Sequence, residues 1–336
     1  MATLGTSVLT LADWAKRLDP DGKVPMIAEL LGQTNRVLDD MMWMEGNLPT
    51  GHRVTVRTGL PTVAWRLLNQ GVTPSKSTTA QIDEQTGMLE AWSEVDKDLA
   101  ELNGNIAAFR LSEARAYIEG MNQEFAQTLF YGNSGTAPEE FTGLSVRYSD
   151  IGAGSPANSQ NIIDAAGTGT DNSSVWLVVW GDQTVFGIFP KASKAGLTHE
   201  DLGLETVEVT AGIAGNRMLA YRDRWQWKGG VAVKDWRYAV RIANIDISNL
   251  VAKASAADLF DRMIQAIHRI PNIGLGRPSF YMNRTCFQML DIQARDDVQT
   301  GGQLAYDVVE GRRVASFRGI PIGLVDQLTE TEARVV

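Results

Sequence analysis

The residues best suited to chemistry in this chain are few and scattered. Cys286 is the single cysteine, and His52, His199 and His268 are the three histidines. A zinc site draws on about four Cys or His ligands at short spacing. One thiol and three distant imidazoles do not supply that set, and a lone thiol closes no disulfide within the chain. Carboxylates adjoin at Asp39-Asp40, Glu139-Glu140 and Asp296-Asp297, the raw material of acid–base work, but consecutive side chains point in different directions and read as surface features. Gly152-Ala153-Gly154 has the look of a nucleotide-binding turn, yet no strand precedes it, no proper helix follows, and Pro156 intrudes. No nucleophile elbow, phosphate-binding loop or His-Glu-x-x-His helix occurs. The sequence therefore assigns no catalytic residue, no cofactor-binding residue and no metal ligand. An enzyme would have to assemble its site wholly from distant residues.

Composition narrows the classes further. The 336 residues are 44% hydrophobic and 21% charged, enough to bury a real core and to divide into two or three substructures. The formal charge of -9 argues against tight reading of nucleic-acid sequence, which needs a concentrated basic surface. No window approaches about 18 consecutive apolar residues, and Met1 to Thr10 lacks the basic-then-apolar pattern of a secretion signal. The chain is expected to stay where it is made.

The elements that would position such residues begin with one long helix, expected from Asn105 to Phe130. Ala107, Leu111, Ala114, Ile118, Met121, Phe125 and Leu129 recur in steps of three and four and predict one buried stripe. Asn105 is read as its cap and Gly132 as the left-handed residue that ends it. Gly120 interrupts it at about 1 kcal/mol against Ala, unless a neighbour packs closely there. Before it, Leu11, Trp14, Ala15 and Leu18 predict a first short helix, and Ile27, Leu30, Leu31, Val37, Leu38 and Met41 a second, ending near Met44 to Gly46. From Asn47 the period changes to two. Val54 and Val56, then Val63, Trp65 and Leu67, predict strands, and a return strand runs through Leu89 and Trp92 to Val95. The Ser-, Thr- and Gln-rich excursion from Gln70 to Gly87 has too little apolar surface to order itself, so the ribbon is expected to lie on another subunit or another part of the chain. Tyr148 to Gly169 reads as surface loop. Strands are expected again at Val175 to Trp180, Val185 to Phe189 and Thr206 to Thr210. A hairpin is predicted from Met218 to Trp227, turning at Lys228-Gly229-Gly230 and returning from Val231 to Ile242. Ser255 is read as the cap of a helix that Pro271 stops. A strand at Ser279 to Asn283, a helix from Arg284 to about Ile292 and closing strands at Tyr306 to Val309, Arg313 to Phe317 and Ile322 to Val325 complete the chain.

Three stretches carry a family resemblance. They are Phe130-Tyr131-Gly132-Asn133 with Phe141-Thr142-Gly143-Leu144; Trp227 to Tyr238 leading into Ile242-Ala243-Asn244-Ile245; and Ser279 to Arg284 with Phe317 to Ile322 and Asp326. In this order the chain resembles the major capsid proteins of tailed bacteriophages, the HK97-like shell fold, and looks closest to those of short-tailed phages of Gram-negative bacteria. The resemblance implies an α+β fold. Its parts would be an N-terminal helical arm (1–46), an extended β-ribbon or E-loop (47–97), a peripheral domain with its spine helix (98–160), a mixed α/β axial domain (161–305) and returning C-terminal strands (306–336).

It also implies a structural protein of the virion capsid rather than an enzyme. Self-assembly in the host bacterial cytoplasm would give hexamers and pentamers of an icosahedral shell around packaged double-stranded DNA, without sequence-specific binding and without a membrane. A portal, a cement or decoration protein and a separate scaffolding protein are the implied partners, the last because the arm begins almost at Met1. An encapsulin-like compartment shell is the alternative within the fold, and an α+β hydrolase the alternative outside it. Leu30, Leu31, Trp65, Arg66 and Lys76 are the candidate intersubunit contacts. Some relatives join an E-loop lysine covalently to a neighbour's asparagine. The polar neighbours Ser75, Ser77, Thr78 and Thr79 should leave Lys76 charged and unable to attack, so a non-covalent shell is expected.

Overall fold

The computed structural model describes residues 32–102, 106–152, 154–208, 217–252, 258–296, 304–309 and 312–336. Its α-helices are α1 (Val37–Asp40), α2 (Lys97–Glu101), α3 (Ile106–Tyr131), α4 (Leu144–Arg147), α5 (Ile247–Val251), α6 (Leu259–Arg269) and α7 (Arg284–Asp296). Strands β1 (Trp43–Glu45), β2 (Gly51–Gly59), β3 (Thr78–Gln85) and β4 (Gly87–Asp96) precede the long helix. After it come β5 (Ile162–Asp164), β6 (Asn172–Trp180), β7 (Val185–Phe189), β8 (Leu197–Glu208), β9 (Arg217–Val233) and β10 (Ala239–Asp246). The last strands are β11 (Arg277–Met282), β12 (Leu304–Val309), β13 (Arg312–Phe317) and β14 (Ile320–Leu324). The described residues fall into two compact units: one within 32–33, 88–125 and 196–228, the other within 34–87, 126–195 and 229–336.

The larger unit is organised by β6. Its sequence, Asn-Ser-Ser-Val-Trp-Leu-Val-Val-Trp, is apolar on both faces, the pattern of a strand covered on both sides, and every residue in it is buried. Antiparallel β10 and β11 flank it. Outward from β11 come parallel β14, then antiparallel β13 and β12. One face packs Val175, Leu177 and Val179 against Phe260, Met263 and Ala266 of α6 and Cys286, Met289 and Leu290 of α7. On the same strand, Trp176 meets Phe130 and Tyr148, with centroids 6.0 and 5.8 Å away. The cap of α6 is Asp258, whose carboxylate accepts from the Phe260 and Asp261 backbone N–H groups; Ser255, expected in that role, lies outside the described residues. Ile162–Asp164, expected as loop, pairs with β10 as a parallel edge strand.

The smaller unit sets three strands against the first twenty residues of α3. β9 lies between β8 and β4, and its alternate residues serve two faces, as the pleat requires. Tyr221 packs with Val95, Ala100 and Phe109, while Trp225 stacks on Tyr117 and Trp227 on Phe125, at 5.1 and 4.4 Å. From the intervening positions Arg222 reaches Glu205 and Glu94, and Arg224 reaches Glu200 and Glu90. Both guanidiniums lie over the Trp92 ring, at 4.7 and 5.6 Å.

Several expectations are corrected. Of the expected second arm helix only Val37–Asp40 is helical among the described residues: 32–36 are not, Asn35 bridging to Val325, and Trp43–Glu45 pairs parallel with β7 instead of continuing the helix. Contact with β9 turns α3 so that Phe109, Met121 and Phe125 are buried, whereas Leu111 and Ile118 are 58% and 44% exposed. Gly132 does not adopt positive φ. A Cβ there would stand 2.5 Å from the Phe141 carbonyl oxygen and 2.6 Å from that of Thr128, so close backbone approach explains that glycine. Nor does β9 turn at Gly229-Gly230. The strand is continuous, its hairpin partner is β8, and a Cβ on Gly230 would meet the Gln85 carbonyl oxygen at 2.6 Å.

Candidate assembly surfaces

The ribbon consists of β2 and β3 in antiparallel register, from Gly51 opposite Gln85 to Gly59 opposite Thr78. The return strand therefore begins inside the stretch expected to be a polar tip, and Val63 to Leu67, expected as a strand, has no partner and forms none. Alternation supplies a strand's side-chain pattern, but without a neighbouring backbone its N–H and C=O groups have nothing to pair with.

Along the stem, Arg53 grips Asp83 with two hydrogen bonds of 2.6 and 2.7 Å. That bond holds the Asp83 carboxyl below its ordinary range. The Asn47 side-chain amide closes on both the N–H and the C=O of Arg53. At the root, Glu84 is buried and accepts both arms of the Arg147 guanidinium at 2.7 and 2.6 Å, a bidentate pair of the stronger kind. His52 stands edge-on to Phe186, 5.5 Å away. Burial, with help from Lys234, pushes its pKa down.

Beyond Gly59 the ribbon changes character. Leu60, Val63, Leu67 and Leu68 are 69–89% exposed and Trp65 is fully so. A Ser75 hydroxyl to the Thr62 carbonyl and a Gln70 N–H to the Leu67 carbonyl link the tip to itself. Trp65, Arg66 and Lys76 all lie in this one exposed stretch between β2 and β3. Leu30 and Leu31, with the whole first helix, lie outside the described residues.

Elsewhere the polar chemistry is structural. Arg241, on β10, is buried and donates to Glu332, Ser174 and the Tyr148 carbonyl. Glu332 also accepts from Tyr131, and burial, then the Glu332 charge, pushes that phenol's pKa up. The Cys286 thiol is buried and pushed up to about 12 by desolvation, which makes it a packing residue rather than a nucleophile. Among the described residues no group of three or more His, Cys, Asp or Glu side chains is placed to hold a metal, and no helix is long and apolar enough to cross a membrane. Sequence reasoning missed the Arg241–Glu332 pair, whose members carry no local signal. It also missed the ladder of Arg222 and Arg224, although two arginines at period two within a strand were visible.

No curated protein matches the chain. Among solved structures, a chain from bacteriophage Epsilon15 is 32% identical over 100% of this chain and 99% of that one, with a TM-score of 0.79. The capsid of bacteriophage JBD30 matches at 9% identity, 90% and 93% coverage and a TM-score of 0.47. An encapsulin of Synechococcus elongatus matches at 13%, 70% and 96%, with 0.40. The HK97-like α+β capsid fold expected from the sequence is the fold observed. A family model described as major capsid protein GP7 matches residues 19–336, and the chain belongs to that family of phage major capsid proteins.

Proposed function

We propose that this capsid protein builds an icosahedral shell of hexamers and pentamers in which the ribbon of each copy clasps a neighbour, and that the shell encloses double-stranded DNA. The observation that carries the clasp is the tip: contiguous large apolar side chains, with Trp65 fully exposed, rarely stand free on a monomer and mark an interaction surface. The acidic balance of the chain, -9 overall, suits a container that confines DNA without binding it tightly. The five parts given above, arm, ribbon, peripheral domain, axial domain and closing strands, remain our division of labour along the chain. Leu30 and Leu31 of the arm are proposed as further contacts. A portal, a cement protein and a separate scaffolding protein complete the assembly in the cytoplasm of a bacterial host.

Replacing Leu60 to Ser77 by a two-residue Asn-Gly turn tests the clasp, because the stem's register and the root at Glu84 are kept. The truncated protein should melt as the full chain does and give no closed particles in negative-stain microscopy. Intact shells of uniform size from the truncated chain would refute the role of the ribbon.

A further inference from the structure

A groove of about 450 Å³ opens along the smaller unit, between β4 and α3, within the roughly 300–1,000 Å³ range of ligand pockets. Ala91, Ala116 and Gly120 leave it room, Tyr117 and Met121 give it an apolar wall, and Glu90, Glu113 and Glu124 are its charged lining residues. Its described lining holds no cationic side chain, although Arg224 of β9 already meets Glu90 at 2.8 Å. Among the described residues nothing lies within 4 Å of where a Cβ on Gly120 would be, so packing among them does not account for a glycine in mid-helix, where it costs about 1 kcal/mol against Ala.

The ribbon tip has the complementary character. Between Val54 and Ile82 there is no Asp or Glu, while Arg57, Arg66 and Lys76 are cationic, in a chain with 40 acidic and 31 basic residues. Trp and Arg adjoin at its most exposed point, the two residue types that most often anchor interfaces. We propose that Trp65 of one copy seats in the groove of a second copy beside Gly120, with Arg66 directed to the carboxylate of Glu124, one turn further along α3. This rests on the reading of the ribbon as an intersubunit clasp and specifies the surface that it grips. The other exposed flank of α3 fits less well, because Arg115 stands between Leu111 and Ile118 and would face the tip with a like charge.

Cysteines placed beside the anchor, not in place of it, test the contact. Ala64→Cys with Ala116→Cys, in the full chain assembled and then air-oxidised, should move most of the protein from the monomer band to covalent multimers on non-reducing electrophoresis. Cys286 is fully buried and does not compete. Shells that stay monomeric on the gel, or that cross-link through Ala64→Cys with Leu111→Cys instead, overturn the proposal. In the second arm, Gly120→Leu carries a side chain into the groove from a Cβ position with no described atom within 4 Å. Unchanged melting with loss of shells is expected, and normal shells overturn the assignment. If shells vanish with the ribbon tip yet no 64–116 link forms, the clasp stands and the groove alone is wrong. If shells survive loss of the tip, the clasp itself has failed.

Discussion

Strands β6 and β2 are each nine residues long and have opposite fates. β6 is buried throughout and takes its order from side chains packed on both faces; β2 alternates and is exposed along most of its outer half. What holds β2 is not apolar area but a run of local polar fixtures: the Asn47 amide, the Arg53–Asp83 fork and the Glu84–Arg147 root. The contrast separates two tasks. The central sheet makes the protomer fold, and the ribbon adds little to that stability, so its sequence is free to serve contact with other copies. Beyond the stem even the polar fixtures give out, and the tip is left with its largest side chains in water.

The sharpest way to break this comparison is to truncate one tryptophan in each region. Trp176→Ala removes a fully buried ring from β6 and should cost about 3–5 kcal/mol, read as a large fall in the thermal midpoint. Trp65→Ala should leave that midpoint within the effect of an ordinary surface change, about 0.5 kcal/mol, while abolishing assembly; equal losses from the two would erase the distinction. At the root the two regimes meet. Glu84→Ala strands the guanidinium of Arg147 in a mostly buried site and should destabilise by about 3 kcal/mol, measured by denaturant unfolding. A loss below about 1 kcal/mol would place Glu84 among surface pairs. The smallest effect belongs to the stem. The folded pKa of Asp83 lies below its ordinary 3.8 because Arg53 hydrogen-bonds to it. Its contribution is therefore complete above about pH 3.8 and fades as pH falls through the lower folded value. Carboxyl NMR titration should place the Asp83 midpoint below 3.8, and Arg53→Ala should return it toward the ordinary value with the protomer's melting unchanged.

Regions whose order comes from burial were the legible ones. Val175 to Trp180 and Val185 to Phe189 could be read because nearly continuous apolar runs leave few alternatives. The long helix was read at nearly its true length, but Leu111 and Ile118 were assigned to the wrong side because β9 packs along Phe109, Tyr117 and Phe125. Glycines misled in two ways. Gly132 and Gly230 carry the signature of a helix stop and a hairpin turn, and both serve close backbone approach, which depends on residues far away in sequence. Lys76 was read near the ribbon's tip, whereas Trp65 and Arg66 were read within a strand that the structure does not form, because their alternation has no partner backbone to pair with. The groove was not legible, since it joins Ala91 to Gly120 across a strand and a helix, and only the unexplained glycine hinted at it.

The bond from Arg241 to Glu332 spans 91 positions. At about 5–20 residues per second, a ribosome takes roughly 5–18 s to supply that carboxylate after the arginine has been made. During that interval the guanidinium has no counter-charge, and burying it alone would be prohibitive. Burial of Arg241 beside β6 is therefore expected to be completed only once Glu332 is available to meet it, which makes the last residues of the described chain part of the central sheet's assembly.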